Sequence, residues 1–182
     1  LEASVWHSNL LLRVRSGLDG DTPRISIFRM CEHYLPKLKI TLDGLNDEVL
    51  WKHEKVQLNS IGGIVLHLGQ HIQPHVFRYS NSDKVEGGIE NYFPDEISLS
   101  SSDLIQMIAD RFINWRVVMT DYLEGNRDQE KLDMFDIYHL VEHTGYHLGQ
   151  IIDRVQRLTD KQFLFVQNGI NERSLKELIY RD

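Results

Sequence analysis

Nine of the 182 residues are histidine. Six of them form two evenly spaced triplets, His67/His71/His75 and His139/His143/His147. These contain four His pairs separated by four residues. Random placement of nine histidines would give about 0.4 such pairs. Four residues is close to one helical turn, so each triplet lines a strip about 80° wide on one helix. Two imidazoles on one helix and a third from a facing helix make a metal site of the kind that helical bundles build. Neutral imidazoles suit Zn(II), Ni(II), Fe(II) or Cu(II). Three protein ligands leave positions open for water or substrate, which is the arrangement of a catalytic site. An ion held there lowers the pKa of a water ligand toward about 7 and polarises an oxygen or sulfur ligand.

Other chemistries fit the residues less well. A zinc-peptidase HExxH motif needs Glu directly after its first His. Here Glu142 precedes His143, and Thr144 follows it. A di-iron carboxylate site needs Glu-x-x-His pairs on two helices. Asp136 and His139 have that spacing, but no second pair accompanies them. Cys31 as a nucleophile would need a base, and on a helix His33 projects about 200° away from it. A plain buried thiol is the simpler expectation. Gly62-Gly63 lacks the Lys-Ser/Thr of a phosphate loop and reads as a place of close helix packing. His7, His33 and His53 read as hydrogen-bonded structural residues. His71 and His75 read as residues at the solvent edge or behind the ligands. Phe112 and Trp115 read as core.

The elements that must position the histidines are helical. Ile27, Met30, Tyr34, Leu38, Leu42 and Leu45 recur at spacings of three and four, predicting a first long helix over 26–45. Pro36 should kink or split it. Residues 46–58 make a connection anchored by Leu50 and Trp51. Asn59 or Ser60 caps a second helix that runs to about Tyr79 and carries the first triplet. Residues 80–100 form a long polar loop, and loops of that length are usually functional or mobile. Ser100 to Ser102 can cap a third helix over 103–123, ended by Gly125 and Asn126. A fourth helix over 131–158 carries the second triplet. A short helix follows around 174–180. Phe163 to Val166 has strand character but no evident partner. The expected fold is all-α, a four-helix bundle with a long crossover loop between helices two and three. The expected division is an N-terminal extension at 1–24, the bundle at 25–160 and a tail at 161–182. In both triplets the histidines border the apolar stripe, and His147 lies nearest the core.

Composition narrows the function classes. The formal charge is −7, and no basic footprint of the kind that nucleic-acid binding needs is visible. No apolar run approaches the ~20 residues of a membrane span, and the first sixteen residues do not read as a signal peptide. A single cysteine excludes an internal disulfide framework and points to a reducing compartment, most simply the cytoplasm. The expected partner is a small-molecule substrate, not nucleic acid or membrane. Homodimerisation through a spare apolar face is also expected.

Three stretches together resemble the DinB/YfiT-like superfamily of metal-dependent enzymes. They are Tyr34-Leu35-Pro36-Lys37 continuing to Leu50-Trp51, Asn59 to Leu68, and His139 to Gln150. The last is the most specific, because the family ends its metal pair with His-x-Gly-Gln. Leu148 stands where many members have Arg. The resemblance implies a four-helix bundle with the same crossover. It implies a divalent metal, zinc or nickel first and iron next, held by His67, His143 and His147. It also implies an activity of the S-transferase or hydrolase type, with water or a low-molecular-weight thiol activated on the metal. Gln150 would orient a ligand or a water behind it, or serve only as a helix-packing amide. Tyr146 and the 80–100 loop would shape the pocket. The alternative is a non-catalytic metal-binding or stress-related interaction module, with His71 or His139 closing the coordination sphere. A plain bundle without metal is the remaining reading.

Overall fold

The computed structural model describes residues 21–80, 91–95, 99–165 and 172–179. These form six helices, and no strand occurs among the described residues. Helix α1 covers 21–42. It contains a π-helical stretch, Phe28–Tyr34, that runs straight into the α-helical stretch Leu35–Leu42. Helix α2 is the short Asp47–Leu50, α3 is Ile61–Ser80, α4 is Ser101–Leu123, α5 is Met134–Leu158 and α6 is Glu172–Ile179. A 3₁₀ turn, Gln129–Lys131, precedes α5.

Of the kink or split expected at Pro36, the split does not occur, because the helix runs through the proline. The Leu35 amide donates to the Met30 carbonyl, five residues back. This widened turn places Pro36 in the first turn of the next α-helical stretch. There the missing proline amide costs little. The helix also stops at Leu42, three residues before the expected end. Gly44 then takes φ +67°, a left-handed backbone that glycine adopts without strain. The connection after it holds the unexpected helix α2, started by the Asn46 side chain accepting from the Val49 amide at 2.9 Å. Leu50 and Trp51 are buried as expected.

The capping signals are met. Ser60 Oγ accepts from the Gly63 amide at 2.9 Å and starts α3. Ser100 and Asp103 form a reciprocal capping box at α4. The Asp133 side chain accepts from the Phe135 and Asp136 amides at the start of α5. Pro74 lies inside α3 without ending it. The described part of 163–166, Phe163 to Phe165, is neither helix nor strand, and Val166 lies outside the described residues. Nearly all of the expected 1–24 extension lies outside them too.

Helices α1 and α3 each pack against both α4 and α5. The core between them is filled by Leu38 and Leu42 of α1, Ile64 and Leu68 of α3, Phe112 and Trp115 of α4, and Leu140 and Ile151 of α5. No described helix is long and apolar enough to cross a membrane. The consequence for function is that the two histidine-bearing helices, α3 and α5, are direct neighbours.

Gly62 secures the entrance to α3. A Cβ at this position would lie 2.4 Å from the Trp51 ring. That ring is buried and tied by its Nε1–H to the Leu99 carbonyl at 3.1 Å, so it has little room to yield. We expect Gly62→Ala to lower stability by about 1–3 kcal/mol through overpacking, despite the better helix propensity of alanine. Urea denaturation measures this, and a variant as stable as the wild type would contradict the tight fit.

Candidate metal centre

His67 of α3 meets His143 and His147 of α5. One ring nitrogen from each can be chosen so that all three lie within 4.8 Å of one another. His67 Nε2 and His143 Nε2 are 3.2 Å apart. His67 and His147 are buried and His143 is half-buried. Among the described residues this is the one group of three or more His, Cys, Asp or Glu side chains placed to hold an ion.

The 3.2 Å spacing allows a test of fit. Two imidazole nitrogens bound tetrahedrally at roughly 2.0–2.1 Å from zinc stand roughly 3.3–3.4 Å apart. The pair is already near that separation. Without a cation, the two facing nitrogens can share only one proton between them. His147 is prepared for ligation from behind. Its Nδ1–H donates to Gln150 Oε1 at 2.8 Å, and Gln150 Nε2 donates to Tyr146 Oη at 3.0 Å. This holds the tautomer that leaves the Nε2 lone pair free, as a partner behind a metal-binding histidine does. Nδ1 of His67 and of His143 is buried without a hydrogen bond.

Burial keeps the cluster neutral. It pushes His143 down to about 4, helped by the neighbouring His147 and His67 rings. Burial also lowers His67, assisted by His147 and opposed by the Tyr92 backbone nearby. It lowers His147 as well, with the Gln150 hydrogen bond opposing and the Arg154 charge assisting. Neutral imidazoles are what a metal requires.

The remaining histidines surround this group or stand apart from it. His71 is half-buried beside His143. Its ring lies 3.8 Å from that of His143, and its buried Nε2 has no partner. Burial and the His143 and His75 rings press it down to about 3. His75 is buried, with Nδ1 bonded to Asp136 Oδ2 at 2.9 Å. Asp136 also accepts from the Tyr79 hydroxyl at 2.8 Å and from Arg78, so it braces α5 against α3. His139 is exposed, with its ring 5.3 Å from that of His71. Neither His71 nor His139 belongs to the close group of three. His33 is structural, with Lys37 Nζ at 2.8 Å from its Nε2. Cys31 is a buried thiol that donates to the Phe112 carbonyl at 3.3 Å. Burial pushes it up to about 11, so it is no nucleophile at neutral pH. His7 lies outside the described residues.

Within the loop expected to shape the pocket, Phe93 covers the cluster, a residue that the histidine spacing does not single out. The Phe93 ring lies 4.4 Å from that of His67 and 6.1 Å from that of His147. The covering segment 91–95 is pinned by Asp95, which accepts from Ser60 Oγ at 2.7 Å and from His53 Nε2 at 2.8 Å. His53 Nδ1 faces the Leu58 carbonyl at 2.7 Å, so both of its nitrogens point at acceptors. That favours the imidazolium, and the Asp95 bond raises the His53 pKa. A sequence signal existed in Tyr92-Phe93-Pro94-Asp95, an aromatic pair beside a carboxylate within the long polar loop.

Comparison with family models, with curated proteins and with solved structures returned no match to this chain.

The histidines divide by sign, and NMR titration of the metal-free protein reads this directly. His53 should titrate above its ordinary 6.5, and His143 near 4. The His53–Asp95 contribution is fully present below the ordinary value and is lost as pH rises through the raised one. The neutral cluster acts oppositely. Its contribution is present above 6.5 and is lost as pH falls toward about 4, because the unfolded chain takes up protons first. In Asp95→Asn the His53 value should drop while His143 stays unchanged. An unmoved His53 would remove Asp95 as the cause.

Proposed function

We propose that the protein is a divalent-metal-dependent enzyme of the DinB/YfiT type. His67, His143 and His147 hold the ion, and the reaction is transfer of a small molecule to a low-molecular-weight thiol, or its hydrolysis. The observation that carries this reading is the 3.2 Å approach of His67 Nε2 to His143 Nε2 beside His147, in a cluster kept neutral by burial. The packing of α1 and α3 against both α4 and α5 supports the four-helix bundle of that family. The long connection between α3 and α4 supports its crossover.

Zinc or nickel suits the donor set best, and iron is the next choice. A divalent ion supplies Lewis acidity, which brings the pKa of a water or thiol ligand toward neutrality. The chain's own residues do the rest. Gln150 holds the His147 ring in the ligating tautomer. Phe93, pinned through Asp95, covers His67 and excludes water from one side. Tyr146 holds Gln150 and is itself exposed at the rim.

Thermal unfolding with added zinc or nickel tests the site, because a ligand that binds only the folded state stabilises it. The gain is about 2.7 kcal/mol at a hundredfold excess over Kd. The wild type should shift upward, and a variant with both His143→Ala and His147→Ala should not. Equal shifts in both would sink the three-histidine assignment. Given a site, thiols offered with electrophilic substrates test the chemistry. A rate that depends on metal and thiol supports transfer. A metal-dependent rate without thiol supports hydrolysis, and no metal-dependent rate in either assay contradicts the enzyme reading.

A further inference from the structure

Arg154 follows His147 by seven residues on α5, so the two share a face about two turns apart, roughly 10 Å along the axis. Its side chain is buried, with 9% exposed. Among the described residues it makes no ion pair and no hydrogen bond, and its Nη1 is buried without a partner. A long stem can be buried cheaply, but a guanidinium nitrogen buried without an acceptor is costly. The charges around it come from two elements. Glu54, on the connection after α2, and Asp153 and Arg157, on α5 itself, act on Arg154. Arg154 in turn acts on His147 and His53.

Glu54 has a complementary vacancy. Its Oε1 accepts from Arg157 Nη1 at 2.6 Å, while Oε2 is buried with no donor. Arg157 is also held by Asp153 at 2.9 Å. One buried donor and one buried acceptor therefore stand unmatched in one neighbourhood, linked through Arg157, which lies one helical turn from Arg154 and bonds Glu54. The Arg154 charge also reaches His147. The two arginines and the two carboxylates balance in charge. A dianion would meet the unpaired Glu54 oxygen and be repelled. A group carrying one negative and one positive charge satisfies both vacancies at once.

We propose that Arg154 and Glu54 form an anchoring site for an α-amino carboxylate, the carboxylate on Arg154 and the ammonium on Glu54 Oε2. The remainder of that molecule extends toward His147. This names the substrate or co-substrate class for the metal-dependent reading above and rests on it. The anchoring site itself is testable without any metal.

The test is NMR titration of the purified protein with L-serine, acetate, ethylamine and inorganic phosphate, following the Arg154 side-chain Nε–H signal in the wild type. Serine should bind saturably, and acetate and ethylamine at least tenfold more weakly. Binding to variants is followed through backbone amides near Glu54. Serine binding should fall at least tenfold in Arg154→Met and in Glu54→Gln. It should persist in the variant with both His143→Ala and His147→Ala. Failure of the metal site therefore leaves this result intact, and failure here leaves metal binding intact. Without ligand, Arg154→Met should melt at the same temperature as the wild type or higher, since it removes a guanidinium nitrogen buried without a partner and keeps the stem. No saturable serine binding, an unchanged affinity in Arg154→Met, a lowered melting temperature for that variant or Arg154-dependent phosphate binding in place of serine would each overturn the proposal.

Discussion

The contact between α3 and α5 is the constraint on which the site depends. It brings His67 Nε2 to 3.2 Å from His143 Nε2 across two helices 76 residues apart in sequence. Imidazoles do not attract each other strongly enough to enforce such a contact. The apolar residues beside them do, with Ile64 and Leu68 of α3 and Leu140 and Ile151 of α5 fully or nearly fully buried. The brace of Asp136 on His75, Tyr79 and Arg78 adds a polar tie at the far end of the same seam. The histidines are carried into place by packing that does not involve them. Their alignment is then preorganised, which is what a ligand set needs.

Burial has two consequences that reinforce each other. It holds the cluster neutral, so the nitrogen lone pairs are available. It also leaves His67 Nδ1, His143 Nδ1 and His71 Nε2 without partners in the protein. Buried polar atoms are nearly always satisfied in stable proteins, and exceptions gather at functional sites. Arg154 Nη1 and Glu54 Oε2 belong to the same set, and they lie along α5 from the cluster and on the connection packed near it. Three of the unsatisfied atoms among the described residues belong to the histidine cluster, and two more, on Arg154 and Glu54, lie further along α5 and on the connection before α3, while Gln70, Gln73 and Trp115 carry the others.

Much of this was legible in the residues. The four-residue spacing placed the histidines on two helix faces, the angle to the apolar stripes put both triplets at the core margin with His147 nearest the core, and the choice of His67 came from the resemblance. Serine caps located the starts of α3 and α4 to within two residues. Gln150 was expected to orient a ligand or a water, or to pack as a helix amide, and its side chain instead holds the His147 ring. What escaped had long-range causes. Nothing local says that Asp136 turns to His75 and not to His139, because that depends on which helix lies opposite. The role of Asp95 needs Ser60 and His53, 35 and 42 residues away. The π-helical stretch before Pro36 answers a local problem in a way that periodicity cannot anticipate.

The central claim is that three imidazoles from two helices form one open metal site. X-ray absorption on the zinc-loaded protein tests this most directly. The account predicts about one zinc per chain, three imidazole nitrogens at roughly 2.0–2.1 Å and a further light ligand, oxygen or sulfur, that exchanges when a thiol is added. A shell of four imidazoles with no exchangeable position, or zinc bound through surface oxygens alone, would contradict it.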